Sequence, residues 1–235
     1  MKAMILAAGK GERMRPLTES TPKPLLQVGG KALIQYHIER LVDSGFQEIV
    51  INHAWLGEQI EDFVRDGRQF GASVTYSAEG EPLETAGGII KALPLLGDDP
   101  FVVVNGDIWT DYSFSELKDC ADMQDLIHLV MVDNPPQHQA GDYCLGQDRR
   151  LAMNDSASEG DSLTYSGISV LRPELFTGIK VHKLPLVPLF DSAIQHGKAS
   201  GEYYSGSWFD IGTVERLQAL DAHLTKRDPG VRGDD

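Results

Sequence analysis

Residues 2–16 read KAMILAAGKGERMRP, and this stretch decides the fold class. Residues 2–8 form a short apolar run, which is typical of a β-strand that is buried on both faces. Gly9 and Gly11 follow, and glycines directly after a buried strand allow backbone N–H groups to approach a ligand closely. We therefore predict a first strand that leads into a ligand-binding turn.

Short apolar runs and segments with helical periodicity alternate along the following part of the chain. Strands are predicted at 48–52, 73–77 and 101–104, and helices at 32–43, 57–65 and 85–95. This alternation indicates an α/β protein with a Rossmann-like, doubly wound, mostly parallel mixed sheet flanked by helices. Ligands bind such sheets beyond the carboxyl ends of the strands. Gly9 and Asp107, which follow the first and fourth strands, should therefore lie at the same edge.

The remaining chain has weaker signals. Residues 9–30 are expected to be a long loop, and 134–163 a hairpin or flexible flap. The other elements expected are strands at 126–132 and 163–171, helices at 185–196 and 214–225, and a hairpin or edge strand at 201–209. We expect one domain over residues 1–225 and a disordered tail at 226–235, because the tail has no apolar periodicity.

Composition and charge exclude several classes of protein. The 235 residues are 41% apolar and 24% charged, as in a globular protein, and carry a net charge of −14. An acidic surface repels phosphate backbones, so no nucleic-acid partner is expected. No apolar run is long enough to cross a membrane. Cys120 and Cys144 match no metal-binding pattern and are expected to be free thiols, so we predict a cytoplasmic protein.

Four cations surround the predicted turn and reverse the sign of the charge locally. Lys10, Arg13, Arg15 and Lys23 would suit a multiply anionic ligand such as a triphosphate. The alternative is an ordinary glycine-rich turn with solvated cations. The stretch is not a Walker A loop, and Met14 stands where a dinucleotide-binding fingerprint has its third glycine.

Two carboxylates and one small-residue turn extend the candidate site. Asp107 and Asp210 could together hold Mg²⁺, which prefers one or two carboxylates plus substrate phosphates. Alternatively, Asp107 is solvated in an Asn-Gly turn and Asp210 only precedes a helix. The segment 79–88 follows the third strand and could read a base edge, or could simply begin a helix.

A series of motifs resembles the sugar-1-phosphate nucleotidylyltransferase family over residues 3–225. The motifs are AAGKGERMRPLTESTPKPL (7–25), LETAGG (83–88), NGD (105–107), YSGI (165–168) and WFDIGT (208–213). The resemblance implies transfer of a nucleotidyl group from a nucleoside triphosphate to a sugar 1-phosphate, with release of pyrophosphate. It also implies a nucleotide-binding half at 1–107 and a sugar-phosphate-binding half at 108–225.

The segments INHAWLGEQIEDF (51–63) and SGEYYSGSWFDIGTVERL (200–217) look most like family members that act in peptidoglycan recycling. Those members transfer UMP from UTP to N-acetylmuramate α-1-phosphate. The alternatives are another acceptor, such as glucose or mannose 1-phosphate, with UTP, dTTP or GTP, and a non-catalytic module that binds nucleotide sugars. The sequence does not fix the oligomeric state; a monomer is compatible with it.

The resemblance also assigns roles to individual residues. Nucleotide-binding roles fall on Gly9, Gly11, Glu12, Arg13, Lys23, Glu79 and Thr85, of which Arg13 and Lys23 are the catalytic candidates. Sugar-phosphate-binding roles fall on Asn105, Asp142, Asn154 and Gly167. Asp107 and Asp210 would hold the Mg²⁺ cofactor.

The chain departs from the family pattern at several points. Glu12 replaces the threonine of the usual G-x-G-T-R loop, and Glu79 stands where glutamine is common. A carboxylate accepts hydrogen bonds only, so Glu79 favours the N3–H of uracil or thymine over cytosine. Residues 140–165 contain no Glu-Lys-Pro motif for the sugar phosphate, and no cation for the lactyl carboxylate of N-acetylmuramate is apparent.

Overall fold

The computed structural model describes residues 1–155 and 160–227. The strands in this part of the chain are β1 Ala3–Leu6, β2 Gln27–Val28, β3 Lys31–Ala32, β4 Glu48–His53, β5 Ser73–Ala78, β6 Phe101–Asn105, β7 Ile108–Thr110, β8 Ile127–Val132, β9 Tyr143–Leu145, β10 Leu151–Met153, β11 Asp161–Leu171, β12 Ala199–Tyr203 and β13 Trp208–Asp210. The α-helices are α1 Leu17–Ser20, α2 Leu33–Asp43, α3 Gly57–Val64, α4 Glu84–Leu96, α5 Val187–Gln195 and α6 Val214–Arg227.

A mixed central sheet has the strand order β12-β8-β11-β6-β1-β4-β5. Strands β6, β1, β4 and β5 are mutually parallel, and β11 is antiparallel to its neighbours β6 and β8. The hairpin of β9 and β10 is attached to the first residues of β11. The predicted α/β class, with a mixed sheet flanked by helices, is confirmed.

The central strands are buried on both faces, which explains their continuous apolar runs. On β1, Ala3 and Ile5 face the side covered by α2 and α3, whereas Met4 faces α4 and α5. Each of these three side chains is fully buried. The alternation fixes the register of β1, since a slip by one residue would exchange the two faces.

Strand β11 joins the two expected halves of the chain into one sheet. Its residues Ile168–Leu171 pair with β6, and its earlier residues pair with β9. As a result, residues from both sides of position 107 contribute to the same hydrophobic clusters. The two halves are therefore continuous at the level of the sheet.

Several predicted boundaries were wrong. The expected loop at 9–30 contains α1, two short 3₁₀ helices and β2. The helix expected at 85–95 spans Glu84–Leu96, one residue longer at each end; it continues through Pro94 and ends at Gly97. Of the hairpin or edge strand expected at 201–209, the hairpin does not form, because β12 pairs with β8 at the edge of the central sheet and β13 pairs with β7.

The predictions for the flap and the tail are partly answered. Residues 134–163 contain the predicted hairpin, formed by β9 and β10. Lys226 and Arg227, the first two residues of the predicted tail, are the last two residues of α6 and are helical rather than disordered. The rest of the tail, 228–235, lies outside the described residues. No helix in the described part of the chain is long and apolar enough to cross a membrane.

A buried histidine on α2 makes the stability of the fold depend on pH. Burial lowers the pKa of His37 to about 4, from an ordinary value of 6.5. The imidazole of His37 therefore binds a proton more readily in the unfolded chain than in the folded protein. Stability is lost as the pH falls from about 6.5 towards about 4. Between pH 7 and pH 4.5 the contribution of His37 falls by about 2 kcal/mol.

We expect His37→Gln to remove this part of the pH dependence, because an amide cannot be protonated and can still donate to the backbone of Ile108. Urea unfolding at pH 7 and pH 4.5 measures the difference. His196→Gln is the matched control, because His196 is exposed. An unchanged pH dependence in His37→Gln would contradict the assignment.

Candidate active site

A cavity of about 440 Å³ lies at the carboxyl ends of β1, β4 and β6. Its walls come from the loop after β1, the turn after β6, the segment before α4 and the residues after β13. Nine of the predicted site residues line it: Gly9, Gly11, Glu12, Arg13, Lys23, Glu79, Thr85, Asn105 and Asp107. The parallel part of the sheet brings these residues together, since their strands end at one edge.

The loop after β1 turns sharply at Gly11, whose φ is +63°. A Cβ atom at this position would lie 2.8 Å from Cγ2 of Thr18, so only glycine fits. The following 3₁₀ helix, Glu12–Met14, exposes the Glu12 side chain to solvent. A carboxylate repels phosphates, but an exposed one can turn away from a bound triphosphate, so Glu12 is compatible with an anionic ligand in this loop.

Lys23 is a buried cation at the edge of the cavity. Its side chain is only 10% exposed, and its Nζ lies 2.9 Å from Oδ2 of Asp107. Arg13 is the second cation that lines the cavity, whereas Lys10 and Arg15 do not line it. Of the four cations near the turn, Lys23 and Arg13 are thus the ones placed to meet an anionic ligand in the cavity.

Asp107 directly precedes β7 and Asp210 ends β13, and the pairing of these two strands brings their backbones side by side. The N–H of Ile211 donates to the backbone oxygen of Asp107 at 2.8 Å, and Asp210 pairs with Ile108 across β13 and β7. Asp210 accepts a short hydrogen bond from Nη1 of Arg216. Its Oδ1 lies 3.3 Å from the position of a Cβ on Gly212, a residue that lines the cavity.

The two carboxylates fit a magnesium ion by their chemistry. Within residues 1–155 and 160–227 no cluster of three or more metal-binding side chains occurs. Mg²⁺ nevertheless binds commonly through one or two carboxylates, with water and substrate phosphates completing the shell. Asp107 and Asp210 supply such oxygen ligands beside the cations Lys23 and Arg216.

Two glutamates line the side of the cavity that is formed by the segment before α4. Glu79 is 8% exposed, and its carboxylate accepts hydrogen bonds from Nδ2 of Asn52 at 2.6 Å and from the N–H of Leu83 at 2.8 Å. Glu84 begins α4 with a φ of +60°, which is a strained conformation for a residue other than glycine. Thr85 follows it in the lining.

The predicted sugar-side residues do not all lie in this cavity. Asn105 lines it, and Gly167 lies against Asn105: a Cβ on Gly167 would be 2.8 Å from Nδ2 of Asn105. Asp142 and Asn154 are outside the lining. Asp142 binds the N–H of Tyr165 at 2.8 Å, and Nδ2 of Asn154 donates to the oxygen of Ala140 at 2.7 Å.

Sequence reasoning missed two residues of this region, Asn52 and Arg216. Asn52 is a polar residue at the end of the apolar run of β4, at the same edge as Asp107. That position was the available signal. The backbone N–H of Arg216 donates to Oγ1 of Thr213 at 3.4 Å, in the first turn of α6. Sequence periodicity identifies Arg216 only as a residue of this helix.

The mixed α/β sheet and the cavity at its strand ends, lined by a glycine turn and a Lys–Asp pair, define an α/β protein with a polar cavity where such sheets bind ligands. The sequence profile described as "Nucleotidyl transferase" matches residues 2–145, and the chain belongs to this family.

Two relatives match almost the full length of the chain. A Neisseria meningitidis protein named N-acetylmuramate alpha-1-phosphate uridylyltransferase is 49% identical over 227 residues, which is 94% of this chain and 97% of that protein. A Caulobacter vibrioides protein of the same name is 32% identical, over 95% and 97% of the two chains.

Solved structures support the fold. A Bacillus anthracis protein described as a glucose-1-phosphate thymidylyltransferase superposes with a TM-score of 0.84 at 21% identity, covering 100% of this chain and 98% of the other. HddC from Yersinia pseudotuberculosis superposes with a TM-score of 0.79, also at 21% identity, over 95% and 99% of the two chains.

Proposed function

We propose that this protein transfers UMP from UTP to N-acetylmuramate α-1-phosphate and so forms UDP-N-acetylmuramate and pyrophosphate. The observation that carries the proposal is the pairing of buried Lys23 with Asp107 in the cavity at the strand ends. The choice of substrates rests on the Neisseria relative, which has this activity in its name and matches over 94% of the chain.

The reaction is an in-line substitution at the α-phosphorus of UTP. An oxygen of the sugar phosphate forms the new P–O bond, the bond to the β-phosphate breaks, and pyrophosphate leaves with the electron pair. Both reactants are anions, so alignment and charge neutralisation supply the catalysis, and no protein nucleophile is required. Lys23 and Arg13 would neutralise charge on the α-phosphate and the leaving pyrophosphate.

Asp107 and Asp210 would hold Mg²⁺. A bound Mg²⁺ ion supplies positive charge that offsets the repulsion between the two phosphates. The protein's own contribution is to fix these carboxylates on paired strands, next to Lys23. Asn105 and Gly167 would meet the sugar phosphate, and the same role stays a prediction for Asp142 and Asn154.

A second acceptor is favoured by one observation. A Synechocystis protein named UTP--glucose-1-phosphate uridylyltransferase is 36% identical over 99% of this chain, although the match covers only 66% of that protein. Glucose 1-phosphate with UTP is therefore the second candidate pair. A role in peptidoglycan recycling and a cytoplasmic location remain proposals that follow from the first pair.

Pyrophosphate release tests whether the protein is an enzyme of this type. We expect release only when UTP, N-acetylmuramate α-1-phosphate and Mg²⁺ are all present, and we expect excess EDTA to abolish it and added Mg²⁺ to restore it. A reaction mixture without the sugar phosphate controls for UTP hydrolysis. Tight binding of UDP-sugar without any release of pyrophosphate would instead indicate a binding module.

A further inference from the structure

The side chain of Asn52 connects the loop after β1 with Glu79 on the opposite side of the cavity. It lies at the end of β4, between β1 and β5, opposite Leu6 and Ser77 in the two registers. It is 2% exposed, yet it lines the cavity. A polar side chain at such a position is costly unless each of its hydrogen-bonding groups has a partner.

Both ends of the Asn52 amide have partners, and these fix its orientation. Oδ1 accepts from the N–H of Ala7 at 2.9 Å, so Nδ2 must be the end that faces Glu79. Nδ2 donates to Oε1 of Glu79 at 2.6 Å, while the N–H of Leu83 donates to Oε2 at 2.8 Å. Glu79 is therefore held by one donor on each oxygen.

This arrangement determines what Glu79 can offer a nucleobase. Each carboxylate oxygen has further acceptor capacity and no hydrogen to donate. Uracil presents a donor, N3–H, at the edge where cytosine presents an acceptor, N3. A carboxylate held this way therefore attracts uracil and repels cytosine at the same position.

Gly88 provides the space for the pair. A Cβ atom at this position of α4 would lie 2.4 Å from Oε1 of Glu79 and 2.8 Å from Nδ2 of Asn52. The absence of a side chain at Gly88 thus allows the Asn52–Glu79 contact to form against the helix.

We propose that Asn52 is a positioning residue for base selection: it presents Glu79 as an acceptor to the base of the nucleoside triphosphate. The inference rests on the proposed function, since it concerns the nucleotide of that reaction. The new element is that discrimination between UTP and CTP depends on the side chain of Asn52, which accepts a hydrogen bond from the N–H of Ala7 in the loop after β1.

The first test is Asn52→Asp, which places a second carboxylate at hydrogen-bonding distance from Glu79. Two carboxylates this close share one proton, and a protonated carboxyl can donate to N3 of cytosine. We expect kcat/KM for UTP to fall about 10- to 100-fold, the range for losing a hydrogen bond to a charged group. The UTP:CTP ratio of kcat/KM should fall as well.

A reciprocal exchange separates positioning from a merely structural role. In Asn52→Asp combined with Glu79→Gln, the new carboxylate can accept from Ala7 and from the new amide, whose oxygen can accept from Leu83. We expect the double variant to be more active with UTP than either single variant. The proposal would be overturned if the loss of kcat/KM for UTP in the double variant equalled the product of the two single losses. An unchanged UTP:CTP ratio in Asn52→Asp would also overturn it.

Gly88→Ala provides a second variant if Asn52→Asp does not fold. The added methyl group would lie 2.4 Å from Oε1 of Glu79 and 2.8 Å from Nδ2 of Asn52, so it disrupts their contact without replacing either residue, and the UTP:CTP ratio should fall in the same way. An unchanged ratio in folded Gly88→Ala would also count against the proposal. If the wild-type protein released no pyrophosphate with any substrates, the proposed function would fail, and calorimetric binding of UTP and CTP would still test Asn52.

Discussion

Replacing Lys23 by alanine is expected to lower kcat/KM for UTP by about 10²-fold or more, the scale for losing one preorganised electrostatic contact. The Lys23 side chain is 10% exposed and has its Nζ 2.9 Å from Asp107, so its charge acts in a largely desolvated place. Its removal takes away a cation that would meet the phosphates and also leaves Asp107 without this partner.

The measurement is steady-state pyrophosphate release with Lys23→Ala, after circular dichroism has shown that the variant is folded. Lys10→Ala is the matched control, because Lys10 belongs to the same loop but is exposed and does not line the cavity. It should stay within about threefold of the wild type, a change of under 1 kcal/mol. A folded Lys23→Ala protein with near-wild-type activity would refute a catalytic role for this lysine.

Asp107→Asn should also cost about 10²-fold or more in rate, because the amide keeps the shape of the side chain but removes the negative charge that would bind Mg²⁺. The Mg²⁺ concentration for half-maximal activity should rise as well. The backbone contact of Asp107 with Ile211 does not involve the side chain, so the pairing of β7 with β13 should persist.

A titration of activity with Mg²⁺ checks this second prediction. Asp98→Asn is the control for charge, since Asp98 is exposed and lies outside the cavity lining. Because Lys23 and Asp107 form one ion pair, the double variant should lose less activity than the product of the two single losses. An unchanged Mg²⁺ dependence in folded Asp107→Asn would remove Asp107 from the metal site.

Local signals were sufficient for the central strands and helices of the first half of the fold, but not for the short elements within 9–30. The apolar runs of β1, β4 and β6 and the periodicity of α2 predict a parallel sheet, and the strand ends predict that Gly9 and Asp107 lie at the same edge. They could not show how the later strands join. The antiparallel pairing of β11 with β6 depends on contacts between residues far apart in sequence.

The site was predictable where residue type and position agree. Lys23 stood out as one of four cations near the glycine turn and Asp107 as a carboxylate after a strand, but their 2.9 Å contact is tertiary information. Asn52 was missed because one amide at the end of an apolar strand carries little signal without its partners. Asp142 and Asn154 rested on resemblance alone, and their hydrogen bonds hold the segment around β9 and β10.

Competition between acceptors tests the central claim most directly. Wild-type protein is given UTP, Mg²⁺ and equal concentrations of the 1-phosphates of N-acetylmuramate, glucose and mannose, and the initial products are identified by mass spectrometry. We predict that UDP-N-acetylmuramate is the predominant nucleotide sugar. Predominant UDP-glucose or UDP-mannose would contradict the proposed acceptor and leave the nucleotidyl-transfer chemistry in place.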